Sequence, residues 1–275
     1  MSDNHAPRTL SQRAAWSTTV VAATLVFIFL MAPILAIVPL SFSSGAYLTY
    51  PLPGLSLRWY EDFLTSPRWM MSLKNSVIIG VSSTILSMIL GTLAALGLAQ
   101  WKSRWKSLVL AVVLSPMVVP VVITAVGVYF FFAPLGLTGN YAGLILAHTA
   151  LSTPFVVITV SATLQGFDMT LARAAASLGA PPLLAFRKVI LPLILPGMAS
   201  GALFAFATSF DEVVTVLFLA GPEQRTLPRE MFSGIRENIS PTITAVAVIL
   251  TVISVILLSV VEALRRRNER LKGAA

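Results

Sequence analysis

The sequence predicts an all-α, polytopic membrane protein of about six transmembrane helices, with both termini cytoplasmic. Three observations carry this. Hydrophobic residues make up 56% of the 275 and charged residues only 11%, against roughly 25% charged in soluble domains, so lipid must solvate most of the surface. Six apolar stretches reach the roughly 20 residues a helix needs to cross a bilayer. Lys and Arg concentrate in alternate connecting segments, which fixes an orientation.

The first stretch, about 17–42, follows a polar segment carrying Arg8 and Arg13. It exceeds the roughly 7–15 residues of a signal-peptide core and reads as a retained first helix. The others cover about 70–99, 107–134, 141–164, 197–220 and 241–264. All are helices, because a lipid-exposed isolated strand would leave backbone groups unpaired. Pro116, Pro120, Pro154 and Pro196 fall within or beside spans and favour kinks. Gly91 and Gly97 suggest close helix contact. With the N-terminus inside, 13 of the 19 basic residues lie on the inner face, among them Lys102, Arg104 and Lys106, and Arg265, Arg266, Arg267, Arg270 and Lys272. Six lie outside, nearly balanced by Glu61, Asp62, Glu223, Glu230 and Glu237. One membrane domain over 17–264 accounts for the chain, between an N-terminal tail (1–16) and a basic C-terminal tail (265–275).

Composition excludes several function classes. The net charge of +8 does not point to nucleic acid, because the positives flank apolar runs; Trp101–Lys106 is an inside anchor. No cysteine and only two histidines, His5 and His148, occur, so neither disulfides nor a metal centre is expected. His148 reads as a hydrogen-bonded packing residue. The chain holds no phosphate-binding Gly-rich loop, no Gly-x-Ser-x-Gly and no His-Glu-x-x-His; neither intramembrane hydrolysis nor ATP hydrolysis is expected, and no cofactor.

Outside, 43–69 is the longest loop. Its Leu57–Leu64 portion forms an amphipathic turn or short helix, and Trp59, Tyr60 and Trp69 suit the membrane interface. This is either an interfacial anchor or a docking rim. Asp211 and Glu212 are adjacent carboxylates placed within the fifth span, near its middle or outer half. A charge at membrane depth costs about 2.5–3.5 kcal/mol on insertion scales, so they face the interior or water. They either line a path for a cation or serve structurally, by capping backbone or pairing with another subunit. Met117, between Pro116 and Pro120, is a candidate gate; Phe130, Phe131 and Phe132 read as packing.

The inside segment 164–196 stands out. Thr170 can cap a short Ala-rich helix ending at Leu178. Gly179 stops it in the left-handed region. Pro181 and Pro182 permit a second helix to start, carrying Phe186, Arg187 and Lys188. The result is an inward-protruding helix-turn-helix whose small alanines allow close approach by another protein.

Ala174, Ala175, Gly179, Ile190, Leu191 and Pro192 stand at the spacings of the coupling loop of ABC importer permeases, which this segment resembles. The resemblance implies a type I importer permease fold and a docking contact with an ATP-binding subunit through Arg173, Ala174, Ala175, Leu178, Gly179, Phe186, Arg187, Leu191 and Pro192. Arg173 occupies the position of the usual Glu. Either the ATPase carries a compensating acidic residue or another contact such as Arg187 takes over. Ser209–Val214, Leu219–Pro222, Leu227-Pro228, Ser240-Pro241 and the Leu57–Tyr60 motif resemble the spermidine/putrescine subfamily, second channel subunit, over essentially the whole chain. The resemblance implies a permease subunit of the bacterial inner membrane forming half of a translocation pathway for polyamines. Its partners would be an ATPase dimer, a second permease subunit and an external binding protein. Relatives carrying ferric iron, thiamine, phosphonate or amino-acid derivatives define an alternative substrate range; a channel or secondary transporter is the remaining alternative and leaves 164–196 unexplained.

Overall fold

Residues 10–165, 170–237 and 240–273 are described in a computed structural model. Among them the chain is helical apart from short connections and the segment 42–57, which holds one isolated bridge between Ser43 and Leu55. The chain divides into two compact units, residues 1–63 with 239–251, and 64–238 with 252–275.

In the first unit, helix α1 (Leu10–Ser41) carries the first apolar run, 26 residues from Trp16. After it the chain turns back on itself, with Ser44 N–H donating to Gly54 O (3.0 Å) and Ser56 N–H to Phe42 O (2.7 Å). Helix α2 (Arg58–Thr65) follows as the amphipathic short helix. Its aromatics are tied inward: Trp59 Nε1 donates to Ser43 O (2.8 Å), and Tyr60 OH lies 2.7 Å from Ser41 Oγ. Thr242 Oγ1 donates to Asp62 (2.6 Å), which anchors the start of α12 (Thr242–Gly273).

The second unit is built on three helices: α3 (Pro67–Gln100), α6 (Tyr141–Gln165) and α9 (Leu191–Phe210). Ile194 packs among Ala95, Val160 and Leu164, while Ser209 meets Ser83 and His148. Hence α9 runs antiparallel to α3 and α6. Glycines set the spacing. A Cβ on Gly91 would lie 2.7 Å from Val156 Cβ, and one on Gly201 3.1 Å from Val156 Cα, so α3 and α9 both close on the same residue of α6. Gly97 has open space around it; the close contact expected there is absent because its Cβ direction points away from neighbouring helices. Short hydroxyls join the helices: Ser87 Oγ donates to Thr149 O (3.2 Å) and Ser152 Oγ to Ala205 O (3.1 Å).

By length and composition four helices can cross a membrane: α1, α3, α6 and Pro182–Phe210. A further apolar pair, α4 (Lys106–Val118) and α5 (Val121–Phe132), is bent by 107° and forms either one broken span or a re-entrant loop. Pro120 precedes α5 with non-helical angles (φ −53°, ψ 130°) and has no N–H to continue α4. Met117 lies beside this bend and is exposed. The sixth apolar stretch is Thr242–Ile256 within α12. Three expectations change. The fifth span starts earlier than 197, its helix running from Leu191 with Pro192 in its first turn and Pro196 inside it. It also ends at Phe210 and resumes as α10 (Val214–Leu219), so 197–220 is a broken helix. Trp69 is buried rather than half wet.

Candidate functional site: the protruding knuckle and the broken helix

The segment singled out for its small residues folds from local rules. Helix α7 (Thr170–Ser177) ends in a Schellman motif: Gly179 N–H donates to Ala176 O (2.9 Å) and Ala180 N–H to Ala175 O (3.1 Å). Gly179 has φ +83°, a conformation that costs a residue with a Cβ about 1 kcal/mol or more. Pro181 then takes extended angles, and α8 (Pro182–Ala185) starts with a proline at its first position. A π-helical turn, Phe186–Ile190, joins α8 to α9, with Leu191 N–H reaching back to Phe186 O. Such turns mark functional irregularities in helices.

The knuckle has two sides. Phe186, Ile190 and Leu191 pack against the core cluster of Ala95, Val156, Leu164 and Ile194. Arg173, Ala174, Leu178, Gly179, Arg187 and Pro192 are exposed, and Ala175 is half-buried. Leu178 is 89% exposed, an unusual position for leucine next to a rigid turn. The nine residues expected to contact a partner therefore split: Phe186 and Leu191 connect the knuckle to the membrane helices, and the others form its outer surface. Asp168, within the same loop, lies outside the described residues, as does Arg8 of the N-terminal tail.

At the far end of α9 the helix breaks. Asp211 takes φ −92°, ψ 0° and is exposed. Glu212 turns back, its Oε1 accepting the Thr215 N–H (2.7 Å) at the start of α10, a favourable place for a carboxylate. The two carboxylates thus have different roles: Glu212 caps backbone, and Asp211 projects from the break. Phe206 and Phe210 stack one turn before it, with ring centroids 5.2 Å apart. Beneath the break, His148 Nδ1 lies 2.8 Å from Ser209 Oγ, which accepts from Ser83 Oγ (2.9 Å). His148 is thereby the buried packing residue expected. It stands seven residues into α6, about 10 Å from that helix's start at 1.5 Å per residue, which puts Asp211 in one outer third of the bundle.

Sequence reasoning missed a polar knot at this same end of the unit. Glu230 on α11 (Leu227–Glu237) is 2% exposed and pairs with Arg68, with Arg225 Nη1 at 3.8 Å. Asn75 Nδ2 donates to Glu223 O and Arg225 O (2.8 and 2.9 Å), and Asn75 Oδ1 accepts from Tyr141 OH (2.7 Å). The near-balance of charges in the outer segments was the available signal. No His, Cys, Asp or Glu cluster able to hold a metal occurs among the described residues.

Residues 87–270 match the family described as "Binding-protein-dependent transport system inner membrane component". The chain belongs to that family. Relatives of this inner membrane component include the spermidine/putrescine transport system permease protein PotC of Shigella flexneri, 30% identical over 91% of this chain and 94% of its own. The corresponding protein of Haemophilus influenzae is 32% identical over 88% and 94%. The putrescine transport system permease protein PotI of Escherichia coli K12 is 34% identical over 86% of both. Among solved structures, a bacterial alginate ABC transporter in complex with alginate pentasaccharide-bound periplasmic protein has a chain superposing with TM-score 0.72 at 16% identity, over 93% of this chain and 96% of that one. The MetNI methionine ABC transporter, in an inward-facing form, gives 0.60 at 20% identity over 74% and 99%. The fold is therefore that of an ABC importer permease, and the inner membrane component is a multi-pass, non-catalytic membrane subunit whose ATPase is a separate chain.

Proposed function

We propose that this permease subunit forms half of the translocation pathway of an ATP-driven importer of polyamines, with both termini cytoplasmic and one transmembrane domain over 17–264. Its partners are a dimer of ATP-binding subunits, a second permease subunit and an external solute-binding protein. Asp211 carries the substrate reading. It is an exposed carboxylate at the break that ends the candidate span Pro182–Phe210, and irregular backbone at membrane depth is tolerated only where it lines a cavity or is buried in protein. The stacked Phe206 and Phe210 rings beside it add faces that attract an ammonium group. The relatives named for spermidine and putrescine support the same class. A molybdenum permease of Mycobacterium bovis is also similar, but an oxyanion would meet repulsion at Asp211.

The knuckle around 170–192 receives the ATPase. Closing of the ATPase dimer by ATP moves the knuckle. Phe186 and Leu191 pass that motion to α3, α6 and α9, because both pack into the cluster where the three helices meet. The π turn is the joint, and the α4–α5 bend near Met117 is a gate. The driving force is the differential affinity of ATP for the two ATPase arrangements. Uptake of radiolabelled spermidine by cells expressing the complete system tests this: uptake competed by putrescine is expected, and import of only an uncharged or anionic solute contradicts it.

A further inference from the structure

Between Thr170 and Pro196 the chain holds three basic residues, Arg173, Arg187 and Lys188, and no acidic one. All three are exposed, and none pairs with a carboxylate among the described residues. They also belong together, because α7, which carries Arg173, packs against α8 and the π turn that carries Arg187 and Lys188. The apolar side chains around them are exposed as well: Leu171, Leu178, Leu183 and Leu184. A cationic rim around exposed leucines on a rigid turn is the profile of a docking surface with an apolar anchor and charged periphery.

We infer that this surface selects an ATP-binding subunit whose receiving groove is acidic, with a carboxylate facing Arg173. The inference rests on the reading of the knuckle as the ATPase contact and adds the charge of its partner. Leu178 is the anchor. The three cations steer encounter and reject subunits with basic grooves, since like charges across an interface oppose association. Exposed pairs of this kind are screened within about 8 Å at physiological salt, so docking weakens with ionic strength.

The test uses the full chain with its permease partner in nanodiscs, titrated with the ATP-binding subunit of the same transport system, at 50 and 300 mM KCl. Wild type is expected to bind several-fold more weakly at high salt. Arg173→Glu is expected to bind about tenfold or more weakly at low salt, with recovery when one acidic groove residue of the ATPase is changed to lysine. Leu178→Asp should abolish docking at any salt. If Leu178→Asp abolishes docking while Arg173→Glu binds as wild type without salt dependence, the knuckle is the contact and the acidic groove is refuted. If neither change alters binding, the coupling reading itself fails. If Arg173→Glu weakens binding only in nanodiscs containing phosphatidylglycerol, lipid headgroups are the cations' partners and the inference is overturned.

Discussion

Asp211 and Glu212 differ by one methylene and one position, yet the fold separates their roles. Asp211→Asn removes a charge that has no described structural partner. The expected result is a raised KM for spermidine, about fivefold or more, with unchanged protein level; unchanged KM removes Asp211 from the pathway. Glu212→Ala removes the acceptor for Thr215 N–H, which costs about 1 kcal/mol as for other lost caps, and shows as reduced thermal stability in detergent. A similar asymmetry holds at Glu230. Arg68→Ala leaves a carboxylate buried with only Arg225 at 3.8 Å, and is expected to cost about 3 kcal/mol. Glu230→Gln frees two arginines that reach water, because both are substantially exposed, and is expected to cost less. Thermal unfolding of the two variants checks the order.

Elements were legible in the sequence where length and breakers decide them. The apolar runs, the Gly179 stop and the proline bend of α4–α5 follow from local chemistry. The break after Phe210 does not, because Asp-Glu-Val-Val contains neither proline nor glycine; it forms because Glu212 finds the α10 amide and the chain must turn toward the Asn75 and Glu230 knot. The π turn was equally hidden, since it reflects how Phe186 and Leu191 seat in the core. Gly91 and Gly97 look alike in sequence, but only the first faces a neighbour. Gly91→Val is therefore expected to destabilise the α3–α6 pair by about 1–3 kcal/mol through overpacking. Gly97→Ala, at a helical position with open space, is expected to be neutral or slightly stabilising. Melting temperatures in one detergent compare them directly.

At the scale of the molecule, α9 connects two specialised ends. The knuckle lies at its start, beside the ends of α3 and α6 marked by Leu96 and Leu164. The break lies at its finish, beside Ser83 and His148. The knuckle and Asp211 thus lie at opposite ends of α9, and under the proposed function α9 is the route by which ATPase motion would reach the pathway. Gly179 is the most economical place to interrupt that route. Its Cβ position is open, so Gly179→Asp should leave the membrane helices folded while straining the Schellman turn and adding a charge to the docking surface.

The direct measurement is ATP hydrolysis by the assembled complex in nanodiscs, with and without spermidine-loaded binding protein. Wild type is expected to be stimulated several-fold by the loaded binding protein. Gly179→Asp is expected to retain the folded permease and lose that stimulation. Full stimulation in Gly179→Asp, or hydrolysis indifferent to the loaded binding protein in wild type, would contradict the account.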